Sequence, residues 1–405
     1  AALERRLRQD PGDLRRRAAA ISHYSREATA VLSSGAGSAS DLEEPLGRAR
    51  NHLEYVLGAS TDIHLLHGVL SQSLGPRLFY ELPELTAKYM RKIGLDRECM
   101  EEFDTRSEFE ERATPYHLAN ALTILKAAGR QSAARELYEE VRALEWKGRR
   151  PVRWQSFDQT PAVFIEGLEH RLIWDGESRL PVADLLEANV SQIQEDLREL
   201  VASRPARGEP NFSSRLRSVL PLRSNEKSGQ VPAYPALTEN GVWDMVQLYV
   251  SRQWHEEACK LMPRTAKLLR SHLPSADVPY VHYNTEEVVL FLLAPGSRVR
   301  LHNGGSNAPL NVHLGLSGCD GAFMEVGGQQ RALRNGKTIT FDDGSDHRVW
   351  HDGSEERWVL TVRVMHPELG ANPAPYFSRA FTRRTCFETW NELRAASLSG
   401  RPGLE

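Results

Sequence analysis

Two histidines and one arginine lie in strand-like surroundings within residues 297–369, and their types and spacing are typical of a metal site. His302 and His347 are far apart in the chain, and Arg357 begins a further apolar stretch. Two histidines and one carboxylate can bind one face of iron(II) and leave positions open for a chelating cosubstrate and O2. The common pattern is His-x-Asp/Glu, but Gly304 occupies the carboxylate position here. The residues therefore predict a non-haem iron(II) site without its carboxylate ligand.

Short strands must position these residues. Alternating apolar and polar residues are separated by turn signals such as Asn335-Gly336 and Asp352-Gly353, a pattern that predicts an antiparallel barrel. The predicted architecture is a double-stranded β-helix, or jelly roll, with His302 and His347 on different strands at its mouth. The predicted strands are 281–283, 287–293, 297–302, 309–316, 322–326, 329–333, 337–341, 347–351 and 357–365.

The first 150 residues have helical periodicity instead. In residues 115–144 apolar positions recur at spacings of three and four, alanines lie where two helices would touch, and Gly129 is placed to end the first helix. This stretch resembles one tetratricopeptide unit, a helical hairpin of about 34 residues that stacks on its neighbours. A generic helical hairpin is the alternative. The predicted helices in this half are 13–33, 41–57, 61–74, 82–94, 96–111 and the two of the hairpin.

Together these patterns predict an α+β multidomain chain. Residues 1–150 form the helical, tetratricopeptide-like domain, 151–240 a linker and helical support of the barrel, and 241–405 the double-stranded β-helix. The middle segment holds a predicted helix at 185–203 and a long loop at 204–237. The last segment opens with a strand at 243–249 and a helix at 256–273, and it closes with a helix at 379–396.

Composition excludes several classes of function. The 51 basic and 54 acidic residues give a net charge of −3, so no cationic field favours nucleic acid. No apolar run is long enough to span a bilayer, although the chain begins at Ala1, which is compatible with a removed signal or anchor. The four cysteines form no CxxC pair. No phosphate-binding loop or nucleophile motif is present.

Three phrases resemble the aspartyl/asparaginyl β-hydroxylase family. They are Phe341-Asp-Asp-x-x-x-His347-x-Val-Trp350, His366-Pro-Glu-Leu369 and His313-Leu-Gly-Leu316. The resemblance is specific over about 130 residues and weaker upstream. The first-ligand motif of that family is His-Thr-Gly, so it also lacks the carboxylate, and water fills the vacant position.

The resemblance implies an iron(II)- and 2-oxoglutarate-dependent dioxygenase that also consumes O2. His302 and His347 would be the iron ligands, and Arg357 would bind the distal carboxylate of 2-oxoglutarate through a bidentate ion pair. His313 would lie beside the metal-bound end of this cosubstrate. Asp342 and Asp343 are expected to cap the turn before His347 rather than to bind metal.

Two residues depart from the family pattern. Phe291 stands where the family has a serine, and Asn311 where it has an arginine, and both positions contact 2-oxoglutarate in the family. Because residues two apart on a strand share a face, Arg298 and Arg300 are expected to point with His302, and Arg363 with Arg357. One arginine of this set could replace the missing one, so Arg300 is a further candidate for cosubstrate binding beside Asn311. With Arg348, these arginines would form a basic mouth.

The predicted reaction is therefore hydroxylation of Asp or Asn at Cβ in a polypeptide such as an epidermal-growth-factor-like domain. Two alternatives stay open: the same chemistry on a lipid or small molecule, or a non-catalytic tetratricopeptide scaffold with a degenerate barrel. The resemblance alone suggests the lumen of the endoplasmic reticulum, with the cytoplasm as the alternative.

Overall fold

The structure, a computed structural model, describes residues 5, 7, 9–34, 39–95, 116–144, 154–162, 164–165, 167–202, 237–250, 253–273 and 287–369. The predicted helices 96–111 and 379–396, the strand 281–283 and nearly all of the loop 204–237 lie outside the described residues.

The α-helices are α1 (Leu14–Ser34), α2 (Ala39–Ala59), α3 (Ile63–Gly68), α4 (Pro83–Gly94), α5 (Tyr116–Ala127), α6 (Gln131–Ala143), α7 (Pro181–Ala188), α8 (Val190–Ala202), α9 (Glu256–Cys259) and α10 (Pro263–Arg270). A π-helix, Val69–Leu74, continues α3. Helices α4, α7 and α10 begin with proline in the first turn, where its missing N–H is not needed.

Two predicted long helices are each broken into two. Pro263 separates α9 from α10, because proline cannot continue a helix through its interior but starts one well. Asn189 separates α7 from α8, and its side-chain Nδ2 donates a hydrogen bond to the Leu185 carbonyl over 2.8 Å. Both predicted regions, 185–203 and 256–273, are helical, but the prediction of one continuous helix in each was wrong.

The strands are β1 (Thr238–Asn240), β2 (Trp243–Val250), β3 (Gln253–Trp254), β4 (Glu287–Leu293), β5 (Arg298–His302), β6 (Pro309–Ser317), β7 (Ala322–Val326), β8 (Gln329–Ala332), β9 (Thr338–Asp342), β10 (His347–His351) and β11 (Arg357–Met365). They form a five-stranded sheet in the order β1-β5-β10-β7-β8 and a six-stranded sheet in the order β3-β2-β4-β11-β6-β9. Every strand pair is antiparallel.

From β4 onward the chain passes back and forth between the two sheets, with only β7 and β8 consecutive in one sheet. This alternation is the winding of a jelly roll. The prediction of a barrel-like β domain beside a helical region is confirmed. Between the sheets lies a core to which the larger sheet contributes Leu293, Phe341 and Val359 and the smaller sheet Val299 and Val349.

The outer face of the larger sheet packs against α7, α8, α9 and α10, through residues such as Leu186, Leu197 and Leu269. A separate core joins α1 to α6 and includes Trp154 and Phe164 from the segment that follows them. Residues 151–240 therefore contribute to both cores. The predicted domain boundaries at 150 and 240 stay predictions.

Helices α5 and α6 form the predicted hairpin, and Gly129 has the positive φ of 70° that a helix-ending glycine adopts readily. The assignment of this hairpin to a tetratricopeptide unit stays a prediction. Among the described residues, no helix combines the length and the apolar character that crossing a membrane requires.

Candidate active site

His302 and His347 face each other on neighbouring strands. They are register partners in the β5–β10 pair, and their ring centroids lie 4.2 Å apart. The next partners are Val349 and Val299, so two residues of β5, Arg300 and Leu301, lie opposite one residue of β10, Arg348. This bulge turns His302 to the same side as Val299, toward the space between the sheets. Two histidines far apart in the sequence thus meet at one point.

Both imidazoles have the tautomer that suits a metal ligand. Nδ1 of His302 donates to the Arg300 carbonyl over 2.7 Å, and Nδ1 of His347 donates to the Ser345 carbonyl over 2.8 Å. A carbonyl only accepts, so Nδ1 carries the proton and Nε2 keeps its lone pair. Burial, with His347 nearby, lowers the pKa of His302 to about 3, which keeps this imidazole neutral near pH 7.

Aromatic rings surround the two histidines. Phe341 lies 4.9 Å from the His347 ring and 5.0 Å from the His313 ring, centroid to centroid. Trp243 lies 6.4 Å from the His302 ring and 5.4 Å from the Phe291 ring. Phe291 thus forms part of an apolar wall with Trp243.

Arg357 is buried at the start of β11, with 3% of its surface exposed. Its Nε and Nη1 atoms are buried without a hydrogen-bond partner. Burial lowers the pKa of Arg357 to about 10, and Cys319 opposes this shift. An unpaired buried guanidinium is costly, and a bound anion would supply the missing acceptors.

Two more buried polar groups on this face lack partners. His313 of β6 and Thr361 of β11 are register partners, and His313 Nδ1 and Thr361 Oγ1 each have no hydrogen bond. Burial and the neighbouring Arg357 hold the pKa of His313 well below its usual range. A neutral imidazole and a hydroxyl therefore lie on the same face of the sheet as the unpaired guanidinium.

Further along the same face, Arg363 meets Asn311. Arg363 Nε donates to Asn311 Oδ1 over 3.1 Å, and its two Nη atoms lie 3.3 Å from Glu287 Oε2 and 3.4 Å from Asp343 Oδ2. Asn311 Nδ2 donates to Asp343 Oδ1 over 2.5 Å. Burial raises the pKa of Glu287, while Arg363 opposes this shift. As predicted, Arg363 shares the inner face with Arg357.

The carboxylate of Asp343 fills the space beside Gly304. A Cβ at position 304 would lie 2.0 Å from Asp343 Oδ2 and 2.6 Å from its Cγ. The backbone N–H of Gly304 also donates to the Asp343 carbonyl over 2.6 Å. The place that a side chain at 304 would take is thus occupied by a carboxylate from the turn after β9.

Asp342 caps the turn before His347, as predicted. Its Oδ1 accepts from the Gly344 N–H over 2.8 Å, and its Oδ2 accepts from Gln159 and lies 3.0 Å from His170 Nδ1. Asp343 was also expected to cap this turn, but its carboxylate instead contacts Asn311 and Arg363. The contacts of Asp343 and Glu287 with Arg363 depend on strand register, so no local sequence signal predicts them.

The predicted common face for Arg298, Arg300 and His302 is wrong, because the bulge reverses the alternation of β5. Arg298 pairs with Asp352 on the outside at 2.8 Å. Arg300 lies 3.1 Å from Glu81 Oε1, against the helical region. Its contact with Glu81 directs it away from the site.

The predicted basic mouth is wrong for a third arginine as well, Arg348. Arg348 pairs with Glu325 at 2.8 Å and is half exposed. It lies on the outer face of the smaller sheet, beside the ring of Trp350. Of the four arginines proposed for the mouth, Arg363 alone lies with His313 and Arg357.

Comparison with known proteins gives a family match over the barrel region. The family described as aspartyl/asparaginyl beta-hydroxylase matches residues 187–367. Aspartyl/asparaginyl beta-hydroxylase of Mus musculus is 31% identical over 140 residues, which are 34% of this chain and 18% of that protein. Aspartate beta-hydroxylase domain-containing protein 2 of Homo sapiens is 31% identical over 137 residues, 33% of this chain and 36% of that protein.

A solved Cupin_2 domain of an XRE family transcriptional regulator from Enterobacter cloacae is 16% identical and covers 22% of this chain and 88% of its own, with a TM-score of 0.19. A score of this size assigns no function. The chain thus spans only a minor part of the two curated relatives, and the match lies in the barrel and the helices that cover it.

Proposed function

We propose, from the match of residues 187–367 to the aspartyl/asparaginyl β-hydroxylase family, that the chain is an iron(II)- and 2-oxoglutarate-dependent dioxygenase. Its proposed reaction adds a hydroxyl group to Cβ of an Asp or Asn side chain in a polypeptide, with an epidermal-growth-factor-like domain as the candidate. The proposal rests on one observation above all. His302 and His347 lie 4.2 Å apart, centroid to centroid, in a barrel that also buries the unpaired Arg357.

The donor set fits iron(II). Two imidazoles with free Nε2 atoms are ligands that iron accepts, and their Nδ1–H groups are fixed by backbone carbonyls, as in many metal sites. Within the described part of the chain, no group of three or more His, Cys, Asp or Glu side chains is arranged to hold one ion. We therefore assign His302 and His347 as the protein ligands, with solvent completing the coordination.

The unpaired polar groups fit 2-oxoglutarate. The buried guanidinium of Arg357, whose Nε and Nη1 have no partner, would bind the distal carboxylate through a bidentate ion pair. His313 and Thr361 offer neutral hydrogen bonds on the same face. A dicarboxylate would thus satisfy groups that are otherwise left unpaired at a cost in stability.

Arg363 is our candidate for the second cationic contact. Because it is the register partner of Asn311 and donates to Oδ1 of that residue, its guanidinium lies next to the position where the family has an arginine. The positive charge is thus supplied from β11 instead of β6. We assign no cosubstrate role to Arg300, because it pairs with Glu81.

When bound, iron and 2-oxoglutarate would supply the oxidising chemistry, in which O2 provides the inserted oxygen and 2-oxoglutarate becomes succinate and CO2. The protein would orient both and keep water away. Phe341 and Trp243 line the histidines with apolar surface, which strengthens the electrostatic interactions inside the site. Asp342 holds the turn that leads to His347.

A second candidate is the same chemistry on a lipid or another apolar substrate. It is favoured by Phe291, which removes a polar group and packs against Trp243 at 5.4 Å. An apolar wall beside His302 would suit an acyl chain.

The test incubates the purified chain with Fe(II), 2-oxoglutarate and O2, in turn with Asp/Asn-bearing epidermal-growth-factor-like peptides and with acyl lipids. We expect succinate, and a mass gain of one oxygen in the peptides. A mass gain in lipids alone selects the second candidate. No succinate with any substrate, together with no metal binding, would identify the barrel as a non-catalytic scaffold and reject both.

A further inference from the structure

A buried lysine of the helical region reaches into the barrel. Lys126 lies on α5, and the side chains of Lys126 and Asp346 are 1% and 4% exposed, respectively. Its Nζ donates to Asp346 Oδ2 over 2.7 Å, to the Phe157 carbonyl over 2.6 Å and to Thr160 Oγ1 over 2.9 Å. All three protons of the ammonium group are thus used, so its position is fixed in three directions.

Asp346 passes this contact on to β5. Its Oδ1 accepts from Asn303 Nδ2 over 2.9 Å, and Asn303 Nδ2 also lies 3.3 Å from Thr123 Oγ1, one turn from Lys126 on α5. The Asp346 backbone is held too, since its N–H donates to the Asp158 carbonyl over 2.6 Å and its carbonyl accepts from Gly327 over 2.8 Å.

These contacts lie directly beside the two candidate ligands. Asn303 follows His302 at the end of β5, and Asp346 precedes His347 at the start of β10. One carboxylate therefore ties together the residues adjacent to both histidines, and one lysine ties that carboxylate to α5. Lys126 and Asp346 lie 220 positions apart in the sequence. Metal ligands must be held within about 0.5 Å of the productive geometry, so such a clamp affects binding directly.

We propose that Lys126 is a positioning residue for the metal site: through Asp346 and Asn303 it fixes the separation of His302 and His347, so that metal affinity depends on the helical region. This inference rests on the proposed function, because it takes the two histidines as ligands.

The test titrates the full chain with Co(II) and records the visible absorption of the bound ion, which reports the ligand geometry without requiring turnover. Lys126→Met should weaken Co(II) binding about ten- to a hundredfold, the range found for groups that orient metal ligands, and should change the absorption bands. Lys92→Met is the matched control. Lys92 donates to the Leu57 and Ser60 carbonyls within the helical region and does not contact the barrel in these bonds. The Lys92→Met variant should have a lower melting temperature than the wild type and bind Co(II) with wild-type affinity.

Two further variants separate positioning from stability. In Lys126→Met/Asp346→Leu both charges are gone, so the fold should regain stability relative to Lys126→Met alone, while Co(II) affinity stays low. Asn303→Ala removes only the bond next to His302 and should weaken binding several-fold even if Lys126→Met fails to fold. If these variants bind Co(II) as tightly as the wild type, with the same spectrum, the inference is overturned and the proposed function stands. A wild-type chain that binds no Co(II) overturns both.

Discussion

Arg363 Nε donates a hydrogen bond to Asn311 Oδ1 over 3.1 Å across the β6–β11 pair. The resemblance to the family predicts an arginine at the position of Asn311, and this contact brings a guanidinium next to that position from the neighbouring strand.

Arg363→Met should therefore raise the 2-oxoglutarate concentration needed for half-maximal turnover. Loss of one charge-assisted contact is worth about 1.5–3 kcal/mol, which corresponds to about ten- to a hundredfold. Steady-state assays at varied 2-oxoglutarate measure it, with Arg348→Met on the outer face as the control.

A rescue experiment sharpens this test. Asn311→Arg in the Arg363→Met background returns the charge to the family position and should restore much of the affinity for 2-oxoglutarate. If Arg363→Met leaves the requirement for 2-oxoglutarate unchanged, Arg363 does not bind the cosubstrate.

Arg357→Met should stabilise the free protein while abolishing cosubstrate binding. It removes a buried guanidinium with two unpaired nitrogens, so the free energy of unfolding should rise by about 1–3 kcal/mol. A structural arginine held by an internal ion pair would behave in the opposite way. Chemical denaturation measures the first effect. The second is measured as the loss of the thermal shift that 2-oxoglutarate with Co(II) gives the wild type.

Gly304→Ala should disrupt the site, whereas Gly305→Ala should not. A Cβ at 304 would lie 2.0 Å from the Asp343 carboxylate and 3.0 Å from its backbone oxygen, while a Cβ at 305 meets nothing within 4 Å. The first change must displace Asp343, at a cost of about 1–3 kcal/mol. Co(II) titration and melting curves of the two variants test this difference, and equal behaviour would contradict the packing described around Gly304.

The helical region should lose stability in acid through His117. Burial, with His67 nearby, lowers the pKa of His117 to about 3, whereas an unfolded histidine titrates near pH 6.5. Between these values the unfolded state binds the extra proton, so stability falls as pH falls from about 6.5 to about 3, by up to ~1.4 kcal/mol per pH unit. Stability is fully present above pH 6.5.

His117→Leu should remove about one proton from this pH dependence, as measured by urea denaturation at several pH values. His23→Leu serves as the control because His23 is about half exposed. An unchanged slope in the His117 variant would show that folding does not lower the pKa of this imidazole.

The sequence allowed the strands of the barrel to be predicted closely, because alternation and glycine turns are local signals. The strands from Glu287 to Met365 all begin and end within one residue of the predicted limits. His302, His347 and Arg357 could be identified as site candidates from their sequence motifs alone. Their separation in space, in contrast, depends on how β5 pairs with β10.

What could not be predicted depends on register or on long-range contacts. The bulge between Val299 and His302 places Arg298 and Arg300 on the side opposite to His302. No residue in β5 predicts this bulge. In the sequence, Lys126 has no feature that distinguishes it from other helical lysines. Its partner Asp346 belongs to a different predicted domain. Such contacts leave no periodic signal.

The most direct measurement compares 2-oxoglutarate turnover to succinate, with Fe(II) and O2, among the wild type, His302→Ala, His347→Ala and His351→Gln. His351 is buried on the same strand as His347, but its Nε2 is bonded to the Glu355 carbonyl at 2.5 Å, so it serves as the matched control. We expect turnover in the wild type and in His351→Gln, and none in either alanine variant. Full succinate formation by His347→Ala would contradict the assignment of His302 and His347 as the iron ligands.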